Sequence, residues 1–392
     1  MSERSLFNEF LAQTSDFPMA LEIAKAKGIY VNDTDGKQYI DLISGIGVSS
    51  VGHLHPAVIA AIHKQLELYM HVMVYGEFVQ SPQVRLAEAL SRTLPAPLSV
   101  SYLVNSGSEA VEGALKLAKR YTGRSEIVSC FDAYHGSTHG ALSIGGGEKF
   151  KQMYRPLLPN IRQIHFGLIA DLEAITKKTA AVIIESVQGE AGVRTASKEY
   201  WQAVRQRCSD TGALLILDEI QCGFGRTGTF WAFEPYGIQP DIIVAAKGMG
   251  GGLPIGAFIS SPDIMQVLRS NPILGHITTF GGNPVCAAAS LATLNTIIND
   301  QLHKSVAQKS QLFRELLVHP EIKMIRSAGL MMAVEFESFE KAKAVVDRCL
   351  VNGLITDWFL YCDNSVRMAP PLIISETEIK TACRIFLQSI EG

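Results

Sequence analysis

The chain has 392 residues, 47% of them hydrophobic and 19% charged, with a formal net charge of -3. Acidic and basic residues are well mixed, which excludes the basic stripe of a nucleic-acid binder and any like-charge tail, and no run reaches the ~18 apolar residues of a membrane-spanning helix. The opening stretch MSERSLFNEFLAQTSDFPMALEIAK carries Glu3, Glu9 and Asp16 and does not read as a secretory signal. Seven scattered cysteines without a CxxC pair point to reduced thiols in a cytoplasmic protein, with no zinc site.

In chain order, GIYVNDTDGKQYIDLIS predicts a hairpin, two β-rich runs around the turn-rich segment Asn32 to Lys37. HPAVIAAIHKQLELY and SPQVRLAEALSRTL predict helices, each with a proline near its first turn. From SYLV onward the pattern alternates. EIVSCF, IRQIHF, TAAVIIES, ALLILDE, DIIVAAK and IGAFISS are strands; SEAVEGALKLAKRY and KEYWQAVRQRCSDTG are helices, the second ended by Gly212. Near-continuous apolar strands between helices mean a mostly parallel sheet covered on both faces, an α/β fold. Beyond Pro284 come long helical patterns and a two-stranded piece, IKMIRSAGLMMAVEFES, which together make an α+β end-piece. A chain of this length exceeds one core. The expected division is residues 1–50 as a segment joining the small domain, 51–290 as the large domain and 291–392 as the small one.

In a parallel sheet the ligand crevice lies outside the carboxyl ends of the strands. The residues there are Asn105-Ser106-Gly107-Ser108-Glu109, Asp132 to Gly136, Glu185, Asp218 to Gln221, and Lys247. NSGSE joins a strand to a helix, and the free N–H groups of a helix start suit a phosphate. The same residues also make an ordinary N-cap. Two acids end ALLILDE, and at least one needs a cationic or N–H partner at the rim of a buried sheet. Asp218 could sustain a protonated pyridine nitrogen or simply form a salt bridge. Tyr134 could stack on a flat ring or belong to the core, and His135 reads as a hydrogen-bonded structural histidine. Lys247 stands alone after an apolar strand, where burial would favour a neutral, nucleophilic amine; snorkelling to solvent is the alternative. GMGGGL is not a dinucleotide fingerprint, since Leu253 stands where the last glycine of GxGxxG belongs.

Over nearly its whole length the chain resembles the class III (subgroup II) aminotransferases, nearest the acetylornithine/ornithine subgroup. The resemblance rests on GHLHP, NSGSEAVEGALKLA, YHGSTHGALS, ESVQGEAGV, LDEIQCGFGRTGTFWAFE, PDIIVAAKGMGGGLPIGA, TTFGGNPVCAAA and RMAPPL in that order. It implies fold type I of the pyridoxal-phosphate-dependent transferases: a large domain with a mostly parallel seven-stranded sheet, plus a smaller α+β domain. Its cofactor would be pyridoxal 5'-phosphate. By the same resemblance Lys247 binds the cofactor aldehyde and carries the proton, and Asp218 pairs with the pyridine nitrogen. Ser106, Gly107 and Ser108 lie at the phosphate, Tyr134 and Ile220 pack on the ring faces, Gln221 lies near the 3'-oxygen, and Glu185 belongs to the same site. Thr279 matches a threonine that reaches the phosphate of a neighbouring subunit, which implies a homodimer with shared sites. Thr278 and Ile46 match substrate-side positions. Arg367 matches an arginine for a substrate carboxylate, and Glu190 the acid that pairs with it. Ser137 stands where the ornithine-type enzymes carry an arginine, and Ile46 where they tend to carry tyrosine. The implied reaction is a ping-pong, Schiff-base amino transfer from an ornithine- or acetylornithine-like donor to 2-oxoglutarate. A 4-aminobutyrate-type or other ω-amine aminotransferase, or an aminomutase or racemase of the same family, is the alternative.

Overall fold

The computed structural model describes residues 2–391. Strands β1 (Ile23–Lys27), β2 (Tyr30–Asp33) and β3 (Gln38–Asp41) form an antiparallel meander, with the expected hairpin between β2 and β3. The large sheet contains β4 (Val100–Val104), β5 (Glu126–Cys130), β6 (Ile161–Ile164), β7 (Thr179–Glu185), β8 (Leu214–Asp218), β9 (Ile242–Ala245) and β10 (Gly256–Ser260). Their order is β4-β10-β9-β8-β7-β5-β6, and only β10 runs against the others. Every residue of β5, β7, β8, β9 and β10 is buried, as a sheet covered on both faces requires. Each fully buried Val, Leu or Ile side chain contributes about 1.5–3 kcal/mol.

The helix Gly107–Thr122 lays Val111, Ala114, Leu115 and Ala118 on this sheet and stops at Gly123, whose φ of 68° suits a residue without Cβ. Helix Lys198–Thr211 ends the same way at Gly212, φ 68°. Helix Pro284–Asn299 starts with Asn283 accepting the Val285 N–H and packs on the helices Pro56–Leu66 and Ser81–Ser91. The boundary at 290/291 drawn from the sequence falls inside this unbroken helix.

In the C-terminal part, β11 (Met324–Ala328) and β12 (Met331–Glu335) form the expected hairpin. It is half of a four-stranded sheet rather than a separate piece. After β13 (Leu354–Ile355), strands β14 (Asp357–Trp358) and β15 (Ser365–Met368) complete the order β11-β12-β15-β14. Two- and four-residue strands carry too little alternation to be read from pattern alone. Strand β13 pairs in parallel with β3, so the N-terminal segment is sewn to the C-terminal part.

Between β3 and the large sheet, Ser44, Gly45, Ile46 and Gly47 follow one another at φ 53°, 61°, 64° and 76°. A left-handed turn costs ~1–2 kcal/mol at each residue with a Cβ. It is held by Asp41 Oδ1, which accepts the N–H groups of Ile43 and Ser44 at 2.8 Å each, and by the Ser44 hydroxyl donating to Ala369 O at 2.7 Å.

Candidate active site

The carboxyl edge of the large sheet opens onto a cavity of ≈ 430 Å³. At its base Asp218, the last residue of β8, is 3% exposed. Its Oδ2 lies 2.7 Å from His135 Nδ1, and its Oδ1 accepts the Ile220 N–H at 2.9 Å. A buried carboxylate needs such donors to stay ionised. Neighbouring Glu219 turns the other way. It accepts the Ser186 hydroxyl at 2.5 Å and the N–H groups of Ala232 and Phe233, and burial pushes its carboxyl up to about 7. Both acids of the LDE motif thus have donors, as expected. The His135 ring is fully enclosed, and its Nε2 is buried without a partner among the described residues.

Lys247 follows β9 at φ 46° and lines the same cavity. Burial pushes its ammonium pKa below the ordinary value. The negative charge of Glu190 opposes that push, Arg367 adds to it, and Asp218 and Glu185 oppose it further. The residue after it must be small. A Cβ on Gly248 would stand 2.8 Å from Ser50 Oγ.

Opposite, the helix Gly107–Thr122 begins at the cavity wall. Ser106 caps it by accepting the Glu109 N–H at 3.2 Å, leaving the N–H groups of Gly107 and Ser108 without a partner among the described residues. A Cβ on Gly107 would stand 2.9 Å from Ile220 Cδ1, so glycine keeps that wall close. Ser108 Oγ accepts the Ser137 N–H at 3.3 Å, and Tyr134 OH lies 3.2 Å from Ser137 Oγ. Glu185, at the end of β7, accepts the N–H groups of Tyr134 and Gly189 at 3.3 and 3.1 Å. Burial first, then the charge of Asp218, drives its carboxyl well above the ordinary carboxylate range. Gln221 lines the cavity beside Ile220.

A second polar pair stands at the far side. Glu190 lines the cavity, and its Oε2 lies 2.6 Å from Arg367 Nη2. Arg367, in β15 between β12 and β14, is 4% exposed and stacks over the Phe359 ring at 4.6 Å. Its Nε and Nη1 are buried without partners among the described residues. Burial raises the Glu190 carboxyl, but Arg367 and then Lys247 outweigh it, and the net direction is down.

The other expected positions lie apart. Ile46 is exposed in the left-handed turn, and Val48 lines the cavity in its place. Ser137 is exposed beyond Tyr134. Thr278 Oγ1 accepts Asn105 Nδ2 and the Gly281 N–H, each at 3.2 Å, so it braces the wall behind the helix start. Thr279 is exposed and outside the lining. His135 is the buried, hydrogen-bonded histidine expected, and its partner is Asp218. The sequence places both residues after strands of the sheet, without pairing them. It also leaves unassigned Asn105, whose N–H and Nδ2 both donate to Glu109 Oε2.

Residues 11–390 match the family model of class-III aminotransferases. The chain belongs to that family. It is 38% identical to the acetylornithine aminotransferase of Methanopyrus kandleri over 97% of both chains. It is also 38% identical to the putrescine aminotransferase of Pectobacterium atrosepticum, over 88% of this chain and 77% of the relative. Its fold is similar to the ornithine aminotransferase of Toxoplasma gondii, a structure reported with partial occupancy of PLP at its active site. The TM-score is 0.92 at 29% identity, covering 99% of this chain and 93% of that one.

This class-III aminotransferase is therefore a transaminase, with an amino donor and a keto acid as substrates and pyridoxal 5'-phosphate as cofactor. The cavity fits that group. It offers an amine with a lowered pKa, a buried carboxylate held by His135, and two N–H groups at a helix start without a partner among the described residues.

Proposed function

We propose that this class-III aminotransferase moves the ω-amino group of an ornithine- or acetylornithine-like donor to 2-oxoglutarate. The observation that carries the reading is the meeting of Lys247, the Asp218–His135 pair and Glu190 around one cavity, with Arg367 held on Glu190 outside the lining. The names of the acetylornithine and ornithine aminotransferases it resembles support that donor class, while that of the putrescine aminotransferase supports the second reading below.

Pyridoxal phosphate, when bound, supplies the aldehyde and the electron-withdrawing ring for carbanion chemistry. Lys247 would hold the aldehyde end. Its amine, disfavoured as a cation by burial, accepts the proton from the amine-bearing carbon of the substrate and returns it later. Asp218, fixed by His135 and the Ile220 N–H, would hold the pyridine nitrogen and favour its protonated form. Ser106, Gly107 and Ser108 would receive the phosphate at the helix start. Tyr134 and Ile220 would cover the ring faces, Gln221 would sit at the 3'-oxygen, and Glu185 would anchor the Tyr134 backbone. Arg367 would take a substrate carboxylate when Glu190 swings aside, and would stay paired with Glu190 while an amine donor reacts. Ile46, Ser137 and Thr278 stand outside the cavity lining and would meet only a part of the substrate that extends beyond it.

Thr279 lies outside its own cavity, which supports a homodimer in which it reaches the phosphate of the neighbouring subunit. The pairing of β13 with β3 supports the three-part division of the chain, with the join to the small domain at the end of helix Pro284–Asn299. Seven free cysteines support a cytoplasmic location.

A second reading, a donor without an α-carboxylate such as a diamine or 4-aminobutyrate, is favoured by Ser137. A neutral hydroxyl stands where a bidentate arginine would clamp that carboxylate.

The test uses the purified protein loaded with pyridoxal phosphate. Ornithine, N-acetylornithine, 4-aminobutyrate and putrescine are supplied in turn, and glutamate formed from 2-oxoglutarate is measured. Isomerised product without glutamate would favour the aminomutase or racemase. Borohydride should fix the cofactor to Lys247, and Lys247→Ala should lower turnover by at least about 10³-fold. Full turnover in that variant would end the proposal.

A further inference from the structure

Arg226 is 1% exposed, yet the structure gives it no carboxylate partner among the described residues. Burial lowers its pKa to about 10, with only the charge of Asp41 opposing. A guanidinium in such a place is costly unless its donors are met, and here both Nη atoms are met while Nε has no partner among the described residues. All its acceptors are neutral oxygens from other segments. Nη1 donates to Leu330 O at 3.3 Å and to Pro370 O, and Nη2 donates to Ser50 Oγ at 3.1 Å.

Each partner leads to the active site by a short path. Pro370 lies three residues beyond Arg367, and Leu330 sits in the turn leading into β12, the strand paired with β15. Ser50 Oγ donates in turn to Gly47 O at 3.3 Å, at the end of the left-handed turn, and it is the atom that a Cβ on Gly248 would meet. Arg226 itself follows Gln221 by five residues, and its carbonyl accepts the Leu330 N–H at 3.0 Å. One cation therefore ties the Arg367 strand to the strained turn, and Ser50 packs beside Gly248 of the lysine loop.

We propose that Arg226 is a positioning residue. By holding Pro370, Leu330 and Ser50 in one arrangement, it sets where Arg367 stands relative to Lys247 and so tunes the carboxylate subsite. This rests on the reading of Arg367 as the carboxylate ligand. The guanidinium is planar and reaches three acceptors at once, which a lysine cannot do.

Arg226→Lys, Arg226→Gln and Ser50→Ala are compared in the cofactor-loaded enzyme, each half-reaction followed separately by cofactor absorbance. Ser50→Ala removes a single hydroxyl and serves should the arginine variants fail to fold. The expected result is a KM for 2-oxoglutarate raised at least tenfold in Ser50→Ala and in Arg226→Lys. The rate and KM of the N-acetylornithine half-reaction, in which Arg367 stays paired with Glu190, should stay within about twofold. Arg226→Gln should show the larger effect and Arg226→Lys a partial rescue. An unchanged KM for 2-oxoglutarate, or an equal loss in both half-reactions, would overturn the proposal. Arg367→Lys separates the two levels. If it too leaves that KM unchanged, the reading of Arg367 has failed. If it raises that KM while the Arg226 and Ser50 variants do not, only the role given to Arg226 has failed.

Discussion

Asp218 and His135 lie 83 residues apart in the chain and 2.7 Å apart in space. Without the ring, Asp218 would keep one donor to its side chain, the Ile220 N–H, in a buried place where an unmet carboxylate oxygen is costly. His135→Phe preserves a flat ring of similar bulk and removes the donor. The expected outcome is a cofactor affinity lowered about tenfold, near 1.4 kcal/mol, with a fall in kcat of tenfold or more. Titration with pyridoxal phosphate and steady-state rates check it; unchanged values would assign the histidine to packing alone. At this scale the sequence showed which residues end the strands, because parallel strands put their ends at one edge. It did not show which ends meet. A lone histidine has no period, and its partner is set by strand order, which the motifs do not state.

At the scale of elements, legibility followed length. Strands β5, β7, β8 and β9 are apolar runs between helices and were readable from pattern. The four residues of β15 were not, although they carry Arg367. Nor was the left-handed turn, since Ser44 and Ile46 are residues that ordinarily avoid positive φ. Strand β15 lies between β12 and β14, so Arg367 is carried on a braced element and Glu190 on a loop that follows β7. In the proposed switch the carboxylate moves and the guanidinium stays. Glu190→Gln removes the charge with nearly the same shape. It should lower the KM for 2-oxoglutarate severalfold, because no carboxylate competes for Arg367, and slow the amine half-reaction about tenfold or more, because the unpaired cation then faces the donor. Equal changes in the two half-reactions would show that the pair is only a structural bridge.

At the scale of the whole molecule, two neighbouring segments expose a group of large hydrophobic side chains. The segment Leu66 to Val79 exposes Leu68, Met70, Phe78 and Val79, the last at 94%. Nearby, the segment Ile273 to Phe280 exposes Ile273, Leu274, Ile277 and Phe280. The two segments touch, since Asn283 Nδ2 donates to Met70 O at 3.2 Å and the His71 and Phe280 rings lie 4.9 Å apart. An apolar patch of this kind suits the homodimer interface proposed above, and Thr279 stands beside it, one residue before Phe280. In a two-fold dimer the same patch meets itself, which would bring Thr279 to the cavity of the other copy. Ile277→Asp with Phe280→Asp buries two charges in that contact and should shift the protein to a monomer by light scattering on a sizing column. The monomer should keep its fold by circular dichroism but bind pyridoxal phosphate at least tenfold more weakly, having lost the partner's contact to the phosphate. Thr279→Ala alone should weaken cofactor binding in the same sense while leaving the dimer intact. A monomer with unchanged cofactor affinity would mean that each chain completes its own site, and a wild type that elutes as a monomer would remove the homodimer.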